Sequence, residues 1–265
     1  MKLGLMSGNM VPAAELPSLG FKAVQMFFGG NDASKDPTTE AIDEVLRPGN
    51  LALAAMTLHV DLVETQGCIP EDVDRTIQCV EKTAALAGRF GDNERPVLVW
   101  HPSGYPEGEG IDDDLVFQGL CEGLGTVCKA AEQQNLAIAV EITRAGSVGS
   151  AEMFLLIRDQ VKSDALGVCI DAANFAPDRT PLERAVRMLR SDIVIAHAKD
   201  SSFTDNGEVA DYGPVGTGRL DYPTYIRSLQ AYCNVPYLVF EYYRSREQLL
   251  TARDIVNSCL TTGAG

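Results

Sequence analysis

The stretch Leu136-Ala137-Ile138-Ala139-Val140-Glu141 decides the fold. Its apolar residues run on without a charge, the pattern of a strand buried on both faces, and stop on a carboxylate. A carboxylate at the end of such a run needs a partner, because desolvating an unpaired charge is expensive. The same design recurs along the chain. Ala55-Met56-Thr57-Leu58 ends on His59, Val97-Leu98-Val99-Trp100 on His101, and Val168-Cys169-Ile170 on Asp171. Val194-Ile195-Ala196 ends on His197 and Leu238-Val239-Phe240 on Glu241, so all 3 histidines are in the set. The strand tails therefore read as the site.

Working outward, short apolar runs alternate with helical patterns over the whole length, which indicates βα units and a parallel sheet. Strands are expected at 3–7, 23–28, 53–59, 97–100, 136–141, 166–170, 193–197 and 237–241. Helices are expected at 12–19, after Asp36-Pro37-Thr38-Thr39 with Thr39 as cap, and at 70–87, 112–134, 150–160, 181–189, 222–232 and 245–259, with a frayed tail at 261–265. A doubly wound open sheet would want a Gly-rich first βα turn, and Ser7-Gly8-Asn9 does not match G-x-G-x-x-G. Eight repeats with polar groups at the carboxyl ends of the strands fit an α/β fold, a single (β/α)8 TIM barrel domain over residues 1–265. No linker or composition shift divides it.

Composition narrows the function classes. With 265 residues and 45% hydrophobic content the chain can build one substantial core. A formal charge of −15, with no basic run, argues against a nucleic-acid footprint. No apolar run approaches a membrane span, and Met1 to Ser7 is too short and interrupted for a signal sequence. The 7 cysteines are dispersed without a C-x-x-C pair, the usage of a reducing compartment, so a cytoplasmic protein is expected.

A lone acid at a strand end is most often a helix cap or an ion-pair partner. Matched positions that use every histidine shift the reading to a shared cation site. Carboxylate oxygens and imidazole nitrogens without thiolate suit Mn, Co, Mg or Zn.

These residues resemble the xylose isomerase-like TIM barrels, a superfamily that includes ketose 3-epimerases, hydroxypyruvate isomerase, inosose dehydratase and endonuclease-IV-type nucleases. The resemblance rests on the tails at Glu141, Asp171, His197 and Glu241, on His197-Ala198-Lys199-Asp200 as an H-x-K-D stretch, and on Gly213-Pro214-Val215-Gly216-Thr217-Gly218 as a G-P-x-G-x-G loop. It covers nearly the whole chain in element order and is specific for the superfamily rather than the subfamily. It implies that Glu141, Asp171, His197 and Glu241 bind one divalent metal, and that Glu141 and Glu241 also move protons. A metal chelated by a carbonyl and a neighbouring hydroxyl acidifies the C–H between them and holds the enediolate that forms. The implied activity is sugar isomerisation or epimerisation on a small sugar or polyol.

Departures from the pattern leave alternatives open. Asn174 stands where the family often has a histidine, so hydroxyl recognition either differs or falls to its amide. His59 and His101 match metal-binding positions of the nucleases, so they either hold a second metal or hydrogen-bond sugar hydroxyls. The stretch 205–213 lacks the further histidine a nuclease would need. Phe27, Phe28, Trp100 and Tyr105 form either an apolar wall against a sugar ring or upper core packing. Lys199 either neutralises an enediolate or pairs with Asp171 or Glu241. Arg219 beside the Gly-rich loop either anchors a phosphate or makes a surface pair. An inosose-type dehydratase, an endonuclease-IV-like phosphodiesterase and a non-catalytic sugar-binding barrel remain as other functions, and homo-oligomers are expected to be common among such barrels.

Overall fold

The computed structural model describes residues 1–8, 11–108, 110–143, 146–175, 182–206 and 209–262. Eight parallel strands close into a barrel: β1 (Lys2–Met6), β2 (Phe21–Phe27), β3 (Ala52–His59), β6 (Val97–His101), β7 (Ala137–Glu141), β8 (Leu166–Asp171), β9 (Ile193–Ala198) and β12 (Tyr237–Phe240). Two small antiparallel hairpins sit beside it. One pairs β4 (Val63–Glu64) with β5 (Gly67–Cys68), and the other pairs β10 (Asp200–Phe203) with β11 (Val209–Gly213). Neither hairpin is signalled by the apolar pattern, because these strands are short and the second is only half-buried.

Successive side chains alternate between the barrel interior and the helices. Val99, Ala139, Cys169, Ile195 and Val239 pack together inside the barrel, while Leu98, Trp100, Val140, Ile170, Ala196 and Phe240 join the larger outer core. The residue two positions beyond each inner one therefore faces the open carboxyl end of the barrel. That residue is His101, Glu141, Asp171, His197 and Glu241 in turn. Register sets His59 opposite His101 and Asp171 opposite His197, while Glu141 is opposite Cys169 and His197 opposite Val239, the stagger of a closed barrel. Gly4 serves the interior at its narrow end, where an added Cβ would come within 3.2 Å of Val239 Cγ2.

The connecting helices form the outer layer. A 3-10 stretch (Ala13–Leu19) follows β1, and α1 (Thr39–Leu46) follows β2. Next come α2 (Pro70–Phe90), α3 (Asp113–Gln133) and α4 (Ala151–Val161), then the single turn α5 (Ala172–Phe175), α6 (Leu182–Leu189), α7 (Tyr222–Tyr232) and α8 (Arg246–Thr262). Thr38, not the expected Thr39, caps α1, its Oγ1 accepting from Ala41 N. Asp112, Ser150 and Asp221 cap α3, α4 and α7 in the same way. The expected helix start at Pro181 and most of the expected tail lie outside the described residues. Among the described residues no helix is long and apolar enough to cross a membrane, and Cys68, Cys79, Cys121, Cys128, Cys169, Cys233 and Cys259 are free thiols.

Candidate functional site

Four strand tails converge at the open end of the barrel. Ligand atoms of Glu141, Asp171, His197 and Glu241 all lie within 4.8 Å of one another. Asp171 is fully buried, and His197 and Glu141 are 1% and 4% exposed. His197 Nδ1 is 3.4 Å from Glu241 Oε1 and 3.8 Å from Glu141 Oε2. Lys199 comes off the end of β9 into the same space. Its Nζ is 2.5 Å from Asp171 Oδ2, 3.3 Å from Glu241 Oε1 and 4.0 Å from Glu141 Oε1. Beyond these ion pairs, the buried Asp171 Oδ2, Glu241 Oε1 and His197 Nδ1 meet no hydrogen-bond partner.

The electrostatics follow from crowding. Burial raises the Asp171 carboxyl and outweighs its attraction to Lys199, pushing it up to about 7. Burial would also raise Glu141, but the neighbouring His197 prevails and holds it below the usual carboxylate range. Glu241 is likewise lowered, against burial, by Lys199 and His197. Burial disfavours charge on His197 and Lys199, yet the surrounding acids and the Cys169 sulfur drive His197 well above its usual value, and the acids do the same for Lys199. With a cation in place of the His197 proton, three ionised carboxylates and one ammonium would leave two negative charges, which a divalent ion would cancel. Carboxylate oxygens and an imidazole nitrogen within 4.8 Å of one another are a donor set such a cation takes, so these four residues fit it.

Around them stand supports that the tail pattern alone does not reveal. Gln25 on β2, fully buried, accepts at Oε1 from His197 Nε2 at 3.2 Å, and its Nε2 donates to Thr57 Oγ1 at 2.8 Å. Their signal in the sequence is a polar residue in the middle of an apolar strand. Behind β8 and β9, the Tyr225 hydroxyl on α7 lies 3.2 Å from the carbonyls of both Ile170 and His197. Tyr222 OH donates to the Lys199 carbonyl at 2.6 Å. The rings of Tyr212 and Tyr242 flank the Lys199 ammonium at 5.0 and 5.1 Å. Tyr242 adopts a φ of 59°, a left-handed conformation that costs a non-glycine residue energy and that here directly follows Glu241.

The other expected site residues divide into those at the mouth and those elsewhere. His59 and His101 are at the mouth, stacked with centroids 4.4 Å apart and planes 8° from parallel, and Phe27 lies against His59 at 5.8 Å. Among the described residues neither histidine belongs to a group of three or more metal-donor side chains within ligand distance of one another. More than a third of His59 is open to solvent, but its position inside the rim and the adjacent His101 lower its pKa. Asn174 on α5 donates from Nδ2 to Glu141 Oε1 at 3.4 Å.

Trp100 is a correction. It is fully buried on the helix side of β6 and its Nε1 donates to the Val60 carbonyl, so it forms no wall for a substrate. Phe28 is also core, beside the Arg75 guanidinium, and the exposed Tyr105 is tied to Asp113. Arg219 is exposed, and the Gly-rich loop beside it already holds an anion of its own. Gly216 N and Leu220 N donate to the buried Asp200 carboxylate, as does Ser201 N. A phosphate site on those amides is therefore not supported.

A family model described as xylose isomerase-like TIM barrel matches residues 13–259. The chain belongs to the xylose isomerase-like TIM barrels. No curated protein matches it. Solved structures with this architecture include an L-ribulose 3-epimerase, 16% identical with a TM-score of 0.70, covering 99% of this chain and 96% of that one. A 3-keto-D-glucoside 4-epimerase from E. coli is 14% identical with a TM-score of 0.72, covering 98% and 99%. A probable 3-DHS dehydratase from Bacillus anthracis is 14% identical with a TM-score of 0.73, covering 97% and 99%. At these identities the likeness is one of fold, so the chemistry of this xylose isomerase-like barrel has to be argued from its own residues.

Proposed function

We propose that the chain is a divalent-metal-dependent isomerase or epimerase of a small sugar or polyol. The observation that carries this reading is that Glu141 and Glu241, from strands on different sides of the barrel, reach the same point. That point is walled by Asp171 and by the unpartnered Nδ1 of His197. Glu141, Asp171, His197 and Glu241 would hold the cation. Bound there, a divalent ion polarises a substrate carbonyl and makes the neighbouring C–H acidic.

The chain's residues would supply the rest. Glu141 and Glu241 are both held ionised, so each has a free carboxylate to accept a proton. One carboxylate takes the proton from one face of the carbon and the other returns it, to the opposite face for epimerisation or to the adjacent carbon for isomerisation. Lys199 carries a fixed positive charge beside both acids and offsets the negative charge that develops on the substrate oxygens. The stacked His59 and His101, with Phe27, provide donors and an apolar edge for a sugar at the mouth.

The test is solvent deuterium exchange into candidate sugars with Mn(II) or Co(II) added. Wild type is expected to incorporate deuterium at the carbon beside the carbonyl, while Glu141→Gln and Glu241→Gln lose it with the fold intact. Exchange retained in both variants overturns the mechanism, and a product lighter by one water shows a dehydratase instead.

A further inference from the structure

We propose that Gln25 is a positioning residue that fixes which nitrogen of His197 faces the cation site, a role that rests on the functional reading above. An imidazole can ligate through Nδ1 only if its proton is on Nε2, and the hydrogen bond made by the second nitrogen decides which tautomer is present. His197 Nδ1 is the nitrogen turned toward Glu141 and Glu241, and it has no hydrogen-bond partner. Its Nε2 meets Gln25 Oε1 at 3.2 Å. A carbonyl oxygen there accepts the Nε2 proton and leaves a lone pair on Nδ1.

The glutamine could serve equally well to defeat the site. Turned about its last torsion, the amide would set an N–H against Nε2 and drive the proton onto Nδ1, where it would block ligation. The structure has the first orientation, with Thr57 on the nitrogen end of the amide. Thr57 Oγ1 accepts from Gln25 Nε2 at 2.8 Å and so draws the amide nitrogen away from the histidine. Gln25 and Thr57 are 0% and 1% exposed, so water does not compete for either bond. Both occupy inward positions two residues below the mouth, Gln25 before Phe27 and Thr57 before His59. An amide buried in this layer beside alanine and valine side chains is expensive to keep unless it is hydrogen-bonded, and both of its ends are.

The experiment is calorimetric titration of the full chain with Zn(II), for wild type, Gln25→Met, Gln25→Glu and Thr57→Val. It is paired with 15N NMR of His197 in the Zn-loaded proteins. Methionine keeps the bulk but has no oxygen, so Gln25→Met is expected to weaken Zn(II) binding by roughly 10–100-fold. Glutamate restores the acceptor, so Gln25→Glu is expected to bind more tightly than the methionine variant. Wild type should show Nε2 protonated and Nδ1 ligated. A role in packing alone would be met by methionine, so wild-type affinity in Gln25→Met overturns the assignment, as does ligation through Nε2. If Gln25→Met does not fold, Thr57→Val decides, weaker Zn(II) binding supporting the assignment and unchanged binding overturning it. Unchanged binding alongside deuterium exchange that depends on Glu141 and Glu241 would sink the Gln25 role alone. A wild type that takes up no Zn(II) overturns both.

Discussion

Lys199 Nζ lies 2.5 Å from Asp171 Oδ2 and 3.3 Å from Glu241 Oε1, so one ammonium is shared between two carboxylates that burial would otherwise set against each other. Removing one partner from a buried set of charges typically costs about 3–5 kcal/mol. Lys199→Met is therefore expected to lose stability of that order in chelator, and saturating Mn(II) is expected to return part of it. Urea denaturation with and without the ion checks this. A variant as stable as wild type in chelator would show that the acids carry no charge for the lysine to balance.

Cation binding should also be visible in the unmodified protein. An ion that binds only the folded state stabilises by about 2.7 kcal/mol at one hundred times its dissociation constant. The thermal midpoint is expected to rise with added Mn(II) or Co(II) and to fall on treatment with chelator. Scanning calorimetry that finds no dependence on either would remove the cation from the account.

Beyond the end of β2, Asp36 gives a pH signature. Burial would raise its carboxyl, but hydrogen bonds from Arg75, Lys82 and Gly29 N hold it down at about 2, against an ordinary value of 3.8. A depressed folded value means that the stabilisation is complete above pH 3.8 and is lost as the pH falls through 2. The shift corresponds to about 2 kcal/mol at neutral pH. Asp36→Asn should lose about that much at pH 7 and show a shallower decline between pH 4 and 2 than wild type. Parallel slopes for the two proteins would refute the linkage.

The Gly213–Gly218 loop allows a steric test. A Cβ at Gly218 would overlap the Ser201 carbonyl and Asp200 Oδ1, both held in place. Gly218→Ala is expected to destabilise by about 1–3 kcal/mol, the usual cost of overpacking. The effect should exceed that of Gly125→Ala on α3, where an added Cβ meets nothing within 4 Å. Equal midpoints in urea would show that the loop yields freely.

Much of this was legible in the sequence because parallel strands buried on both faces read as unbroken apolar runs, so a charged residue ending one stands out. That is how Glu141, Asp171, His197 and Glu241 are found. Parity along the strand carried more than the expectations used. His101 faces the barrel interior, so Trp100, one residue earlier, must face the helices, and it does. Gln25 and Thr57 escape notice because a polar residue inside a strand reveals its partner only once the barrel closes and brings β2 within reach of β9. The hairpin of β10 and β11 escapes for the opposite reason, its strands being too short and too exposed to carry an apolar pattern. The cap at Thr38 rather than Thr39 is a one-residue ambiguity that two adjacent threonines create.

The carboxylate of Asp200, gripped by Gly216 N, Leu220 N and Ser201 N, makes the loop its own occupant. A barrel built this way stands one residue from a different appetite. Trading that acid for glycine would vacate a seat of backbone amides next to the barrel mouth, open to an oxyanion. Inorganic phosphate binding to Asp200→Gly but not to wild type would expose the latent berth.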